Sequence, residues 1–303
     1  MASFIEADTI DWLRYEQLTE PEAKIRAASA YEDELVEAVL GRDDDRGALL
    51  PWSKTHENFR ARPGELTIWA GINGHGKSLL TGHCVLDWMA QGQKVMVASF
   101  EMKPRLTLKR MCRQASCGAQ PSEKFARDFS RWTDGRLWLY DQQGTVDVQR
   151  IAAVLRYCHE NLGIQHAVVD SLMKCVRGEK DYDGQKDMLD LLTSIARDTG
   201  MHIHLVHHIR KGDDEEGLPN KFDLKGSGSI SDQADNVLIV WRNKRKQFEA
   251  QAGKEVDREQ PDAMVMCEKQ RNGEWEGRIA LWFHEASQQY VAMPGGRPKE
   301  YVR

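Results

Sequence analysis

The stretch ELTIWAGINGHGKSLLTGH, residues 65 to 83, decides the fold. It passes from an apolar run through a glycine-spaced turn into a run with helical spacing, and the turn from Gly71 to Ser78 matches GxxxxGK(S/T) in full. Strand, turn and helix in that order are the context a phosphate-binding loop requires. Glycines let main-chain N–H groups curl around an anion, and the helix start that follows adds positive potential. Gly71, Asn73, Gly74, His75, Gly76 and Leu79 then form the cradle for ATP or another nucleoside triphosphate. Lys77 neutralises the β- and γ-phosphates, and Ser78 is a ligand for Mg²⁺.

Working outward, strand-like and helix-like segments alternate. Strands are expected at ELTIWA, KVMVASF (94–100), RLWLYD (136–141), IQHAVVD (164–170), HIHLVHH (202–208) and NVLIVW (236–241). Helices are expected over 77–90, 104–130, 147–161 and 185–198. The alternation predicts an α/β fold with a mainly parallel central sheet and helices on both faces. DAMVMCEKQ (262–270), EGRIALWFH (276–284) and QQYVAM (288–293) add antiparallel strands at the C-terminus. Upstream, residues 9–40 carry apolar residues at three-to-four spacing with a break at Pro21, a short helical arm. Residues 41–64 are rich in Gly, Pro and charge, which suggests a linker or loosely docked arm. The chain thus divides into an acidic helical arm over 1–50 and an α/β domain over 51–303.

The 303 residues, 41% of them hydrophobic, suffice for a large buried core. No segment resembles a signal peptide or a membrane span, so a cytoplasmic location without membrane association is expected. Six cysteines without a CxxC pair suggest reduced, buried thiols rather than a zinc ribbon or disulfide framework. Of the net charge of −5, the first 50 residues carry 13 acids against 5 bases, which leaves a slightly basic remainder. That balance argues against passive coating of nucleic acid, while leaving room for basic residues gathered on one inner surface.

A triphosphate site needs further groups at neighbouring strand ends. HAVVD ends in Asp170, an apolar strand closing on a carboxylate suited to the Mg²⁺ shell. Glu101 follows VMVASF directly and, beside the phosphate loop, fits a water-activating base; taken alone it reads as a solvated carboxylate at a helix start before Pro104. In HIHLVHH, His202, His204 and His208 share a face, yet no close Cys or carboxylate completes a metal site. His208, at the strand's C-terminal end, suits a sensor bonded to the γ-phosphate, and His202 and His204 suit packing or surface positions. The loop Lys225, Gly226, Ser227, Gly228 suits a nucleic-acid backbone or a flexible surface turn equally well. Lys269 and Arg271, two apart beside a turn, are exposed charges in one copy and candidate trans-acting fingers in a ring.

PGELTIWAGINGHGKS, SFEM, VVDSL, VHHIRK, DLKGSGSISDQADNVLIVWRNK and EKQRNGEWEG, in that order, resemble the RecA-type motor domain of DnaB-like replicative helicases, nearest the phage-type and Twinkle-like branch. The resemblance covers about residues 50–293. It implies a RecA-like P-loop NTPase core and a hexameric ring that hydrolyses triphosphate at subunit boundaries and moves 5′ to 3′ on single-stranded DNA at a fork. It implies Glu101 as base, Lys77 and Asp170 at the phosphates and Mg²⁺, His208 as sensor, and Lys269 with Arg271 acting in trans. It further implies Lys225–Gly228 on DNA, Arg242 near the nucleotide base and Tyr290 stacking on that base. A separate primase or loader would supply what the motor lacks, and the host would be a bacterial or phage-infected cytoplasm. The family's loop usually has Arg where Lys225 stands, which keeps the charge and loses the bidentate fork.

Two other readings share the core: a RecA- or RadA-like recombination ATPase, and a nucleotide-switched DNA-binding ring or loader. The segment GSGSI followed by ADNVLIVWRN favours the helicase over the first.

Overall fold

The computed structural model describes residues 10–16, 27–40, 47–142, 144–176, 178, 181–209, 219 and 229–302. Two arm helices, α1 (Trp12–Glu16) and α2 (Glu32–Val39), precede an antiparallel ribbon of β1 (Ala48–Leu49) and β2 (Arg60–Ala61). There follow β3 (Leu66–Gly71), α3 (Lys77–Ala90), β4 (Val95–Ser99), α4 (Pro104–Ala115), α5 (Glu123–Thr133) and β5 (Leu137–Leu139). Next come α6 (Val148–Tyr157), β6 (His166–Asp170), α7 (Tyr182–Thr199), β7 (His202–His208), α8 (Ser229–Gln233) and β8 (Asn236–Arg242). The chain closes with α9 (Lys244–Gln251), β9 (Ala263–Gln270), β10 (Gly277–His284) and β11 (Gln289–Val291).

Nine strands form one sheet in the order β11-β10-β9-β8-β3-β7-β6-β4-β5. The six from β8 to β5 run parallel, and β9, β10 and β11 each pair antiparallel, as the sequence pattern predicts. β3 lies in the middle with all six residues buried, the continuous apolar run expected of a strand covered on both faces. Its alternation feeds two cores. Leu66, Ile68 and Ala70 pack with residues of α6, α7 and α8, while Trp69 packs with Leu80, Cys84 and Trp88 of α3. Side-chain caps start the helices: Ser122 accepts from the Phe125 N–H, Asp147 from Gln149, and Asp181 from Gly184.

The expected linker over 41–64 is not a free tether where it is described. Leu50, Trp52, Phe59 and Ala61 are buried with the α3 side of the core, and the Trp52 indole donates to the Tyr290 carbonyl at 2.7 Å. Glycine, proline and charge mark the turns between these anchors. In the arm, α1 lies on α6, with Trp12 and Tyr157 ring centroids 5.9 Å apart and the Arg150 guanidinium 5.0 Å from the Trp12 centroid. α2 exposes Leu35, Val36 and Val39. Pro21 and residues 41–46 lie outside the described residues. Among the described residues, no helix is long and apolar enough to cross a membrane.

His166, His202 and His204 are buried between the sheet and α3. Trp88 stacks on His204 at 4.1 Å between centroids, and His166 lies parallel to His204 at 5.4 Å. An indole only donates, so the Trp69 N–H fixes His204 Nδ1 as acceptor at 3.2 Å, and His204 Nε2 then donates to His166 Nδ1 at 3.2 Å. His202 Nδ1 donates to the Arg62 carbonyl at 2.6 Å, leaving Nε2 to accept from the Thr67 hydroxyl at 2.8 Å. Burial lowers all three pKa values, that of His202 to about 4, so the rings are neutral packing elements.

Candidate active site

The C-terminal ends of β3, β4, β6 and β7 converge on one cleft, the position where open α/β sheets bind ligands. About 470 Å³ is enclosed by residues that include Lys77, Ser78, Glu101, Arg110, Asp170 and His208. The loop from Gly71 to Gly76 forms its floor. Gly76 adopts φ +88°, and a Cβ there would meet the Tyr290 hydroxyl at 2.6 Å, so backbone freedom and lack of bulk are both needed. The Lys77 ammonium donates to the carbonyls of Gly71 (2.7 Å) and Ile72 (3.1 Å), which holds it over the loop. Asn73, Gly74 and Leu79 line the cleft as well. His75 contributes only main chain: its ring is buried, and Nδ1 accepts from the Arg242 N–H at 3.1 Å.

Asp170 is 7% exposed, and burial raises its pKa. The Ser78 hydroxyl bonded to it, and the charges of Lys77 and Arg110, act in the opposite direction, while Glu101 adds to the rise. A hydroxyl and a carboxylate in contact at a phosphate cradle fit Mg²⁺, which takes few protein ligands and fills its shell with phosphate oxygens and water. Glu101 is 45% exposed at the mouth, its Oε1 accepting from the Ser171 hydroxyl at 3.3 Å and lying 3.9 Å from His208 Nε2. A solvent-accessible carboxylate facing a phosphate cradle can orient and deprotonate a water. His208, on the strand beside β3, closes the far wall.

Other sequence candidates sit elsewhere. Arg242 ends β8 beside the loop, its guanidinium 5.7 Å from the Phe283 centroid. Tyr290 is 2% exposed beneath Gly76, so its ring offers no face to a nucleotide base, and the stacking role implied by the resemblance does not fit. The resemblance that suggested it could not reveal that the C-terminal hairpin folds under the loop. Lys269 and Arg271 are absent from the cleft. Gln270 is level with Asn236, and Asn236 with Thr67, so the pair lies at the opposite end of the strands from Lys77. Lys225, Gly226, Ser227 and Gly228 lie outside the described residues.

Arg110 is the cleft residue that motif reading misses. It stands on α4, half-buried, and burial lowers its pKa against the opposing pull of Asp170. The signal available in sequence is a basic residue on the inward stripe of an amphipathic helix, three after Thr107 and next to buried Met111. Gln288, in a turn with φ +60°, also lines the cleft.

The sequence profile of the DnaB-like helicase C terminal domain matches residues 60–292. The chain is 25% identical over 245 residues to a DNA helicase/primase of Enterobacteria phage T3, covering 72% of this chain and 43% of that protein. It is 26% identical over 225 residues to a chloroplastic/mitochondrial Twinkle homolog of Arabidopsis thaliana, covering 65% of this chain and 31% of the relative. The chain thus spans less than half the length of these curated relatives. Among solved structures, an ATPase domain superposes with a TM-score of 0.72 at 16% identity, covering 88% of this chain and all of its own. A DnaB-like replicative helicase, solved in a study of its interactions with primase, gives 0.71 at 16% identity over 92% of this chain and 70% of its own. These superpositions show a RecA-like helicase fold.

Proposed function

The chain belongs to the family of DnaB-like helicase C-terminal domains, and on that premise we propose that it is the triphosphate-hydrolysing motor of a replicative DNA helicase. Six copies form a ring around one DNA strand, hydrolyse ATP or another nucleoside triphosphate at their seams, and move 5′ to 3′ into a fork. The reaction is phosphoryl transfer to water. Glu101 takes the proton of the attacking water, Lys77 and Arg110 hold phosphate oxygens, and His208 reports loss of the γ-phosphate. Ser78 and Asp170 would hold Mg²⁺, which would supply positive charge to screen the phosphates.

One observation carries this reading: the groups for one hydrolytic site are divided between opposite ends of the parallel strands. Lys77, Ser78, Glu101, Asp170 and His208 share the C-terminal end, and Lys269 with Arg271 stands at the other. Two copies packed with one end against the other would join the halves. Charge supports the same assembly. The groove between α4 and α5, about 910 Å³, is lined by Arg105, Leu106, Lys109 and Arg113, and α2 offers Glu32, Asp33 and Glu37 beside exposed Leu35, Val36 and Val39. In the arm (1–50), α1 and β1 pack on their own motor (51–303), and α2 of one copy would dock on the motor of the next.

DNA would lie against Lys225–Gly228, and a separate primase or loader would act with the ring. The setting is the cytoplasm of a bacterium or of a phage-infected cell. The test is electron microscopy with a non-hydrolysable ATP analogue and single-stranded DNA, paired with unwinding of a forked duplex. Closed rings that unwind the fork are expected; helical filaments, or monomers that bind nucleotide completely, would overturn the reading.

A further inference from the structure

We propose that Asp235 is the positioning residue for Arg271, holding its guanidinium at the end of β9 in the orientation needed to enter the cleft of an adjoining copy. This rests on the ring reading above and adds to it a residue that motif spacing does not assign.

Asp235 links α8 to β8 and is 4% exposed. Its main chain is fixed on both sides: its N–H donates to the Leu66 carbonyl at 3.0 Å, and its carbonyl accepts from the Arg271 N–H at 2.8 Å. Its carboxylate is divided between two tasks. Oδ2 accepts from the Leu66 N–H at 2.9 Å, which ties it to the first residue of β3. Oδ1 faces two guanidinium groups, with Arg271 Nε at 3.4 Å and Arg197 Nη2 at 3.9 Å. A carboxylate this buried requires compensation by charge, and here the compensating cations come from β9's end and from α7.

The guanidinium is also held at a second point. Arg271 Nη2 donates to the Asp232 carbonyl at 2.9 Å, beside Lys269 Nζ, which donates to Ser231 and Asp232 carbonyls at 2.8 Å each. Both cations therefore sit on the C-terminal carbonyls of α8, where positive charge is favoured. Contacts at Nε and at Nη2 fix the plane of the fork, while Nη1 makes no hydrogen bond to a described residue. A planar donor group fixed at two nitrogens, with a third free, is prepared for an incoming phosphate oxygen at little entropic cost. A bulge between Val237 and Leu238, where Lys269 pairs with Val237 and Cys267 with Leu238, brings both cations to this point. Because Asp235 is bonded to the base of β3 and Lys77 follows its tip, the donor end and the cleft end of one copy share one strand as a strut.

The experiment uses the full chain with ATP, Mg²⁺ and oligo-dT. Asp235→Asn keeps an acceptor for the Leu66 N–H and removes the charge facing Arg271. Its kcat should fall ten- to a hundredfold with KM for ATP within twofold, and the same change should cost nothing further in an Arg271→Ala background. Mixing Asp235→Asn with Lys77→Ala subunits should restore turnover, because intact clefts then meet intact fingers. Should Asp235→Asn fail to fold, Asp235→Glu, which displaces the same charge by one methylene, carries the test. Turnover near the parent's in Asp235→Asn, alongside an inactive Arg271→Ala, would overturn this inference and leave the ring reading standing. Losses that add to those of Arg271→Ala, or that mixing does not relieve, would assign Asp235 a purely structural role and overturn it as well. An Arg271→Ala protein as active as the parent would instead remove the trans-acting reading on which the inference rests.

Discussion

At the scale of single residues, the proposed function separates groups in the cleft that would bind the nucleotide from groups that would make it react. Glu101 is half-exposed beside the Ser171 hydroxyl and His208, so Glu101→Gln should leave nucleotide affinity within a few fold. DNA-stimulated turnover should fall by several hundredfold or more, the range expected when a general base is lost; steady-state kinetics checks both. Arg110→Ala should act on binding, weakening ATP about tenfold, as loss of a hydrogen bond to a charged group does. It has a second signature. The Arg110 charge opposes the rise that burial gives the Asp170 pKa, so its removal should move the acid limb of the pH–rate profile to higher pH. An unmoved acid limb would mean that Asp170 is insensitive to Arg110.

At the scale of elements, the parallel strands, the phosphate loop and α3 are legible in the sequence because their signals are local: an apolar run, spaced glycines, and a helix start. Lys77, Ser78, Glu101, Asp170 and His208 are legible for a related reason, since each closes or follows a strand of one parallel sheet, and such strands end together. The remainder depends on contacts between distant segments. Trp52 and Phe59 look like linker residues until α3 covers them, and Arg110 becomes a cleft residue only when α4 crosses the strand ends. The histidines of β6 and β7 pair across strands under Trp88, which single-strand spacing cannot show. Trp88 is fully buried, and its indole nitrogen makes no hydrogen bond to a described residue. Trp88→Phe should therefore cost little beyond lost volume, whereas Trp88→Ala should cost about 3–5 kcal/mol; urea unfolding distinguishes them.

The same layer sets an acid limit. His83, His166, His202 and His204 are held below the ordinary histidine pKa, His83 and His202 to about 4. Between about pH 6.5 and 4 the unfolded chain binds protons that the folded chain refuses. Stability is therefore complete above that window and is lost as pH falls through it, by up to about 1.4 kcal/mol per pH unit for each ring. Urea midpoints measured at pH 7.5 and 5.5 should differ steeply, and equal midpoints would contradict neutral burial of these rings.

At the scale of the whole molecule, an acidic arm and a basic groove on the same chain favour association between copies. Removal of residues 1–40, or about 1 M salt, should shift the assembly toward smaller species in sedimentation velocity, because exposed charge pairs are screened within about 3 Å at that ionic strength. Apolar contacts by Leu35, Val36 and Val39 would leave part of the assembly resistant to salt, which distinguishes the two treatments. The nine-stranded sheet ends in β5 on one side and β11 on the other, each only three residues long. Such brief margins give a neighbour almost no main chain to extend. In the proposed ring, adjacent protomers would then meet through side chains, helices and the β9–β10 turn, a seam able to shear without unzipping a ladder of amides.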